Sequence, residues 1–124
     1  KYKLLYLNVV SGNVAIPTAT MEMLVDGQTV QDAGFGNGPV DATIAAIRKI
    51  TGTNYDLVRY AVTAITGGTD ALGEVTAQLK FDGKTVTGRG AHPDVIVASA
   101  TAYINALNRL EWMKSDRKKI QVEE

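Results

Sequence analysis

The sequence predicts an α+β domain built from two pseudo-symmetric βββα units, with antiparallel sheets and the helices on one face. Three observations carry that prediction. Asp26-Gly27-Gln28-Thr29-Val30, then Gly34-Phe35-Gly36-Asn37-Gly38-Pro39, returns as Asp82-Gly83-Lys84-Thr85-Val86, then Gly88-Arg89-Gly90-Ala91-His92-Pro93. Segments that alternate apolar and polar residues precede each Asp-Gly, the pattern of a hairpin between antiparallel strands. An Ala-rich stretch with apolar residues at helical spacing follows each glycine-rich segment. Two such units meet at a seam, and a seam with two glycine-rich turns suits a small ligand.

The first strand is expected over Leu4 to Val10, with Leu5, Leu7 and Val9 on one face and Ser11-Gly12-Asn13 stopping it. Thr18 to Val25 sets Ala19, Met21, Met23 and Val25 opposite Thr18, Thr20 and Glu22. That alternation marks a half-buried strand, and Thr29 to Ala33 is its short partner after the Asp26-Gly27 turn. Gly34 to Pro39 reads as a turn into a helix, because Pro is favoured in a first helical turn, where its missing N–H has no partner to lose. The helix, about Val40 to Ile50, places Val40, Ile44, Ile47 and Ile50 on one face. Arg48 and Lys49 suit its C-terminal dipole, and Gly52 stops it.

The order then repeats. Leu57 to Ile65 is strand-like, Thr66 to Gly73 reads as a polar, small-residue loop, and Val75 to Phe81 alternates up to Asp82-Gly83. Thr85 to Thr87 returns as a short strand, Gly88 to Pro93 turns, and a longer helix runs from about Asp94 to Trp112. On that helix Ile96, Ser99, Tyr103, Ala106 and Leu110 form one face. The domain is therefore expected over residues 1–113, divided into units 2–53 and 54–113. A charged tail, 114–124, reads as a solvated, partly frayed terminus.

With 124 residues and 45% hydrophobic content, the chain can bury one modest core. Thirteen Lys plus Arg against 13 Asp plus Glu give no basic surface for nucleic acid. The absence of cysteine excludes disulfides, a thiolate nucleophile and Cys-based zinc sites. No apolar run has the length of a membrane span. The chain starts at Lys1 without a methionine and is expected to be a piece of a longer protein.

Candidate chemistry is sparse. His92 is the only histidine, so an imidazole-based metal site or acid–base pair would have one member, and a solvent-facing loop histidine is the expectation. No catalytic residue and no metal ligand is assigned. Gly34 to Pro39 misses the G-x-G-x-x-G fingerprint and the P-loop ending, which argues against a nucleotide site. Two readings of that segment stay open. Its glycines either bare a helix N-terminus, whose free N–H groups attract a carboxylate, or merely permit the turn and close helix–sheet packing. The Thr66-to-Gly73 loop is open to reading as a lid, an interface or a surface loop. Tyr60, aligned loosely with Tyr6, is core or an aromatic pocket wall.

Four stretches together closely resemble one family. They are Gly36-Asn37-Gly38-Pro39-Val40-Asp41-Ala42, the run from Ala64 to Val75, Gly88-Arg89-Gly90, and Ala98-Ser99-Ala100 leading through Tyr103 to Leu110. The family is the C-terminal regulatory domain of 2-isopropylmalate synthase, a domain type shared with citramalate synthase, and the resemblance runs over roughly residues 2 to 110. It implies a domain that binds the pathway end product, inhibits a metal-dependent TIM-barrel synthase in the same polypeptide, and forms a homodimer in the cytoplasm. By position, Asn37, Gly38, Pro39 and Val40 resemble the segment that cradles the effector, and Leu57, Tyr60, Ala64 and Ala71 its lining. The chain itself is expected to hold no cofactor, the divalent metal belonging to the barrel. The small Ala64 favours leucine as effector, with isoleucine, the citramalate synthase alternative, as runner-up. A purely structural dimerisation module is the rival from another class.

Overall fold

The computed structural model describes the backbone at residues 1–13, 16–67 and 70–123, and the side chains there except at 65–67, 70 and 117–123. Strands β1 (Tyr2–Val10), β2 (Thr18–Val25) and β3 (Gln28–Phe35) precede helix α1 (Pro39–Thr51). Strands β4 (Leu57–Gly67), β5 (Asp70–Phe81) and β6 (Lys84–His92) precede helix α2 (Val95–Glu123). Each trio forms its own antiparallel sheet in meander order, so the βββα unit occurs twice, as the sequence predicts.

Both Asp-Gly turns pair a left-handed aspartate with a left-handed glycine: φ is 50° and 82° at Asp26-Gly27, and 52° and 77° at Asp82-Gly83. That is the signature of a two-residue turn whose twist matches its flanking strands. Pro39 opens α1, and Gly52 closes it in the left-handed conformation (φ 67°), donating its N–H to the Arg48 carbonyl.

Several predicted bounds are too short. β3 reaches Phe35 and β6 reaches His92, so Gly34, Gly88 and Gly90 are strand residues and not turn residues. Of the predicted Thr66-to-Gly73 loop, Gly68 and Thr69 lie outside the described residues, and the rest is paired strand, with Thr66 opposite Ala71 and Ala64 opposite Gly73. α2 continues past Trp112 to Glu123. Helix α2 runs on because no Gly or Pro follows Trp112; on the strands the reason is that these glycines serve close packing. A methyl on Gly90 would lie 2.6 Å from the Ala98 carbonyl oxygen, and one on Gly73 would meet the Val95 side chain at 2.6 Å.

A β-bulge breaks the expected stripe on β1. Leu4 pairs with Met23 and Tyr6 with Glu22, which leaves Leu5 as the extra residue and turns it outward, 44% exposed, while Leu7 and Val9 stay inward. β4 repeats the device: Leu57 pairs with Leu79 and Arg59 with Gln78, so Val58 is extra and exposed.

One core spans both units. Met21 and Met23 of β2, Ile47 of α1, Leu79 of β5, and Tyr103, Leu107 and Leu110 of α2 are fully buried in it. A smaller cluster, Val75, Ala77, Ala98 and Ala102, seats α2 on the second sheet. Arg48 joins the units at the end of α1, donating from Nε to the buried Tyr103 hydroxyl (3.1 Å) and from a terminal guanidinium nitrogen to the Tyr55 carbonyl (3.0 Å). Lys49 pairs with Asp32 at 3.2 Å. The Asp32 carboxyl is held below its usual range, first by the Ala33 N–H it accepts and then by Lys49. A depressed carboxyl favours the folded state above its unfolded pKa, so this small contribution is lost as pH falls.

Asn108 ties β1 to α2 from the far end of the chain. Its amide accepts the Tyr2 N–H at 2.8 Å and donates to the Tyr2 carbonyl at 2.9 Å. Asn108→Ala is expected to cost about 1–3 kcal/mol, since both Tyr2 backbone groups lose their partner. A lowered urea midpoint would register this; an unchanged midpoint would show that water replaces the amide without loss.

Candidate functional site

The start of α1 is bare. Gly38 occupies the N-cap position in an extended conformation (φ −157°), and no side chain caps the first turn. Pro39 has no N–H to satisfy, so the unengaged donors of this turn belong to Val40 and Asp41, whose N–H groups precede the helix's own bonding pattern. The Asp41 carboxylate folds back to accept the Asn37 N–H at 2.9 Å, which fixes the turn between β3 and α1. Asn37 is exposed, and Gly38, Pro39 and Val40 are half-buried. Asp41 thus joins the sequence-predicted residues of this turn, and an acidic residue in a first helical turn is the signal that marks it.

Leu57, Tyr60, Ala64 and Ala71 all stand on the helix-facing side of the second sheet. The bulge at Val58 sets this phase. Beyond it Tyr60 pairs with Ala77, Val62 with Val75 and Ala64 with Gly73, and directly opposed residues share a face. Leu57 is half-buried against the core, whereas Tyr60, Val62, Ala64 and Ala71 are exposed. The Tyr60 hydroxyl lies 2.6 Å from Ser99 Oγ on α2. The sequence-predicted residues thus form two groups, one at the start of α1 and one on β4 and β5. No hydrogen bond among the described residues links them.

The internal repeat relates both groups to positions in the other half of the chain. Structural equivalence runs 56 positions along the chain: Asp26-Gly27 matches Asp82-Gly83, and Gly34, packed on Ala42 and Ala46, matches Gly90, packed on Ala98 and Ala102. The alignment of Gly34 with Gly88 suggested by the sequence is therefore two residues out of step, because it followed the Gly-x-Gly motif and not the helix contact. In the corrected register Gly38 corresponds to Asp94 and Val40 to Ile96. On the strands Tyr60 corresponds to Leu7 and not to Tyr6, since their partners Ala77 and Met21 are equivalent.

A cleft of about 390 Å³ opens between β1 and the start of α2, lined by Leu7, Asn8, Val9, Ser11, Asp94, Ile96 and Val97. By the same equivalence Tyr60 and Val62 of β4 answer to Leu7 and Val9, and Gly38 and Val40 of α1 to Asp94 and Ile96. The two helix starts differ in their caps. At α2, Asp94 accepts the Ile96 N–H at 2.8 Å and donates its own N–H to His92 Nδ1 at 2.9 Å, so that turn is closed by its own chain. At α1 the same position carries no side chain. His92 is exposed and spent on this contact, and no group of three metal-ligating side chains occurs among the described residues.

Comparison with known proteins agrees with this architecture. The model of the LeuA allosteric (dimerisation) domain matches residues 1–111. A 2-isopropylmalate synthase of Syntrophus aciditrophicus (strain SB) is 76% identical over 123 residues, covering 99% of this chain and 24% of that protein. A 2-isopropylmalate synthase of Solidesulfovibrio magneticus is 50% identical, over 94% of this chain and 23% of its own length. A Methanoculleus marisnigri protein named as an (R)-citramalate synthase is 51% identical, over 82% of this chain and 21% of its own length. The chain thus spans about a quarter of the length of the curated relatives it matches. No helix among the described residues is long and apolar enough to cross a membrane.

Proposed function

The chain belongs to the LeuA allosteric (dimerisation) domain family, and from that premise we propose that it is the leucine-sensing domain of a 2-isopropylmalate synthase. In this reading it acts as a homodimer, beside a metal-dependent TIM-barrel domain of the same polypeptide. Leucine binds between the start of α1 and β4, and its unequal affinity for two arrangements of the domain biases the barrel towards a slower state.

The observation that carries the reading is the difference in caps. The two helices start at equivalent positions of the repeat, and at the one whose N-cap is Gly38 no side chain of the chain's own competes with a carboxylate from outside, whereas at α2 Asp94 already holds the Ile96 N–H. Tyr60, Val62 and Leu57 offer aromatic and aliphatic surface to a branched side chain, and Ala64 and Ala71 leave it room. Asp41, in the same turn, supplies a carboxylate beside the cradle, and together with backbone carbonyls of the glycine-rich segment it is suited to the ligand's ammonium group.

Isoleucine is the second reading, favoured by the relative named as a citramalate synthase. Titrating the chain with leucine, isoleucine and valine while following thermal unfolding separates the cases. The preferred ligand at a hundred times its Kd should add about 2.7 kcal/mol of stability. Leucine is expected to give the largest shift. A larger shift with isoleucine would move the chain to the citramalate branch, and no shift with any of the three would leave a structural dimerisation module.

A further inference from the structure

We propose that Ser99, which lies on α2 and outside both groups of site residues, is a positioning residue that sets the Tyr60 wall and with it the discrimination between branched side chains. The inference rests on Tyr60 lining the effector cleft. Ser99 is 2% exposed, a hydroxyl in a place where a small apolar residue would pack as well. Its own proton is spent, because Ser99 Oγ donates to the Val95 carbonyl at 2.7 Å. Ser99 Oγ therefore acts as acceptor from the Tyr60 hydroxyl, and at 2.6 Å that bond is short even for O–H···O.

Tyr60 needs such a tether. It stands on β4, the outer strand of its sheet, with 38% of its surface exposed, next to an exposed Val62 and an exposed Ala64. Neighbours on that strand leave the ring free to swing about χ1 and χ2, and a wall that swings cannot tell one branching pattern from another. The bond to Ser99 fixes the phenol against α2, across 39 positions of sequence. At the equivalent place on α1, Thr43 makes the same backbone bond, to the Pro39 carbonyl at 2.7 Å, and the residue equivalent to Tyr60 is Leu7, which has no hydroxyl to hold. The fold thus accepts threonine at this position.

Calorimetric titration of the chain with leucine and with isoleucine tests the proposal, using wild type, Ser99→Ala, Ser99→Thr, Tyr60→Phe and the Ser99→Ala/Tyr60→Phe double variant. Ser99→Ala and Tyr60→Phe should each weaken the preferred ligand about three- to tenfold, the cost of ordering one freed side chain on binding. Each should also bring the leucine-to-isoleucine ratio towards one. The double variant should bind no more weakly than either single one, and Ser99→Thr should bind like wild type. A Ser99→Ala domain that melts lower but keeps wild-type affinity and ratio would overturn the proposal, leaving Ser99 as a packing residue. Wild-type behaviour of Tyr60→Phe would overturn it too. If wild type itself takes up neither amino acid, the effector reading fails first and the Ser99 proposal falls with it.

Discussion

Gly38→Asp is expected to abolish leucine binding while leaving the domain as stable as before, or slightly more so. Gly38 sits at φ −157°, an extended conformation open to any residue, and a Cβ there would meet no atom within 4 Å. Aspartate is also among the preferred N-cap residues, worth a few tenths of a kcal/mol over glycine. The equivalent position already shows the outcome: Asp94 closes the first turn of α2 through the Ile96 N–H. The substitution would write the second cap onto the first helix, filling the carboxylate's donors and adding a negative charge beside Asp41. Affinity should fall at least a hundredfold, which corresponds to about 2.7 kcal/mol. Calorimetry and a melting curve on the same sample decide it. Retained leucine binding in a well-folded Gly38→Asp domain would place the cradle elsewhere.

The largest loss of stability is expected from alanine at the glycines beneath the helices. A methyl on Gly88 would overlap the Ala102 carbonyl oxygen and the Ala106 nitrogen of α2, and one on Gly34 would overlap the Ala46 nitrogen and lie 2.8 Å from the Ala42 carbonyl oxygen of α1. These neighbours are backbone, so no rotamer change relieves the clash and the helix must lift from its sheet. Either substitution should cost about 3 kcal/mol, a large part of a small domain's margin. Gly12→Ala, with open space around it, is the control and should be nearly neutral. A Gly88→Ala domain whose denaturation midpoint matches the control would mean that the helix already stands further off.

The Asp-Gly hairpins, the Pro39 and Gly52 bounds of α1, and the buried faces built on Met21 and Met23, and on Tyr103 and Leu110, were all legible in the sequence, because each follows from local backbone preference or from periodicity. The bulges at Leu5 and Val58 were not, since no residue type signals where a strand admits an extra member. Glycine was the main source of error. At Gly27 it marks a turn; at Gly34, Gly88 and Gly90 it marks a helix lying close above, and the chain alone does not distinguish these uses. That confusion shortened β3 and β6, turned a hairpin end into a loop, and put the repeat two residues out of register. The register in turn hid the most telling comparison at the site, Gly38 against Asp94. The Tyr60 and Ser99 contact lay beyond reach for another reason: it depends on how β4 faces α2, which only the assembled core decides.

Backbone-to-backbone seating also has a mechanical meaning. Where side chains separate a helix from a sheet, the gap can yield as rotamers change. At one place under α1 there is no such cushion: Gly34 brings the end of β3 against the backbone of Ala42 and Ala46, while Met21, Met23 and Ile47 fill the rest of the layer. A displacement at the first turns of α1 would therefore be passed to β3 through backbone, with no rotamer change to absorb it.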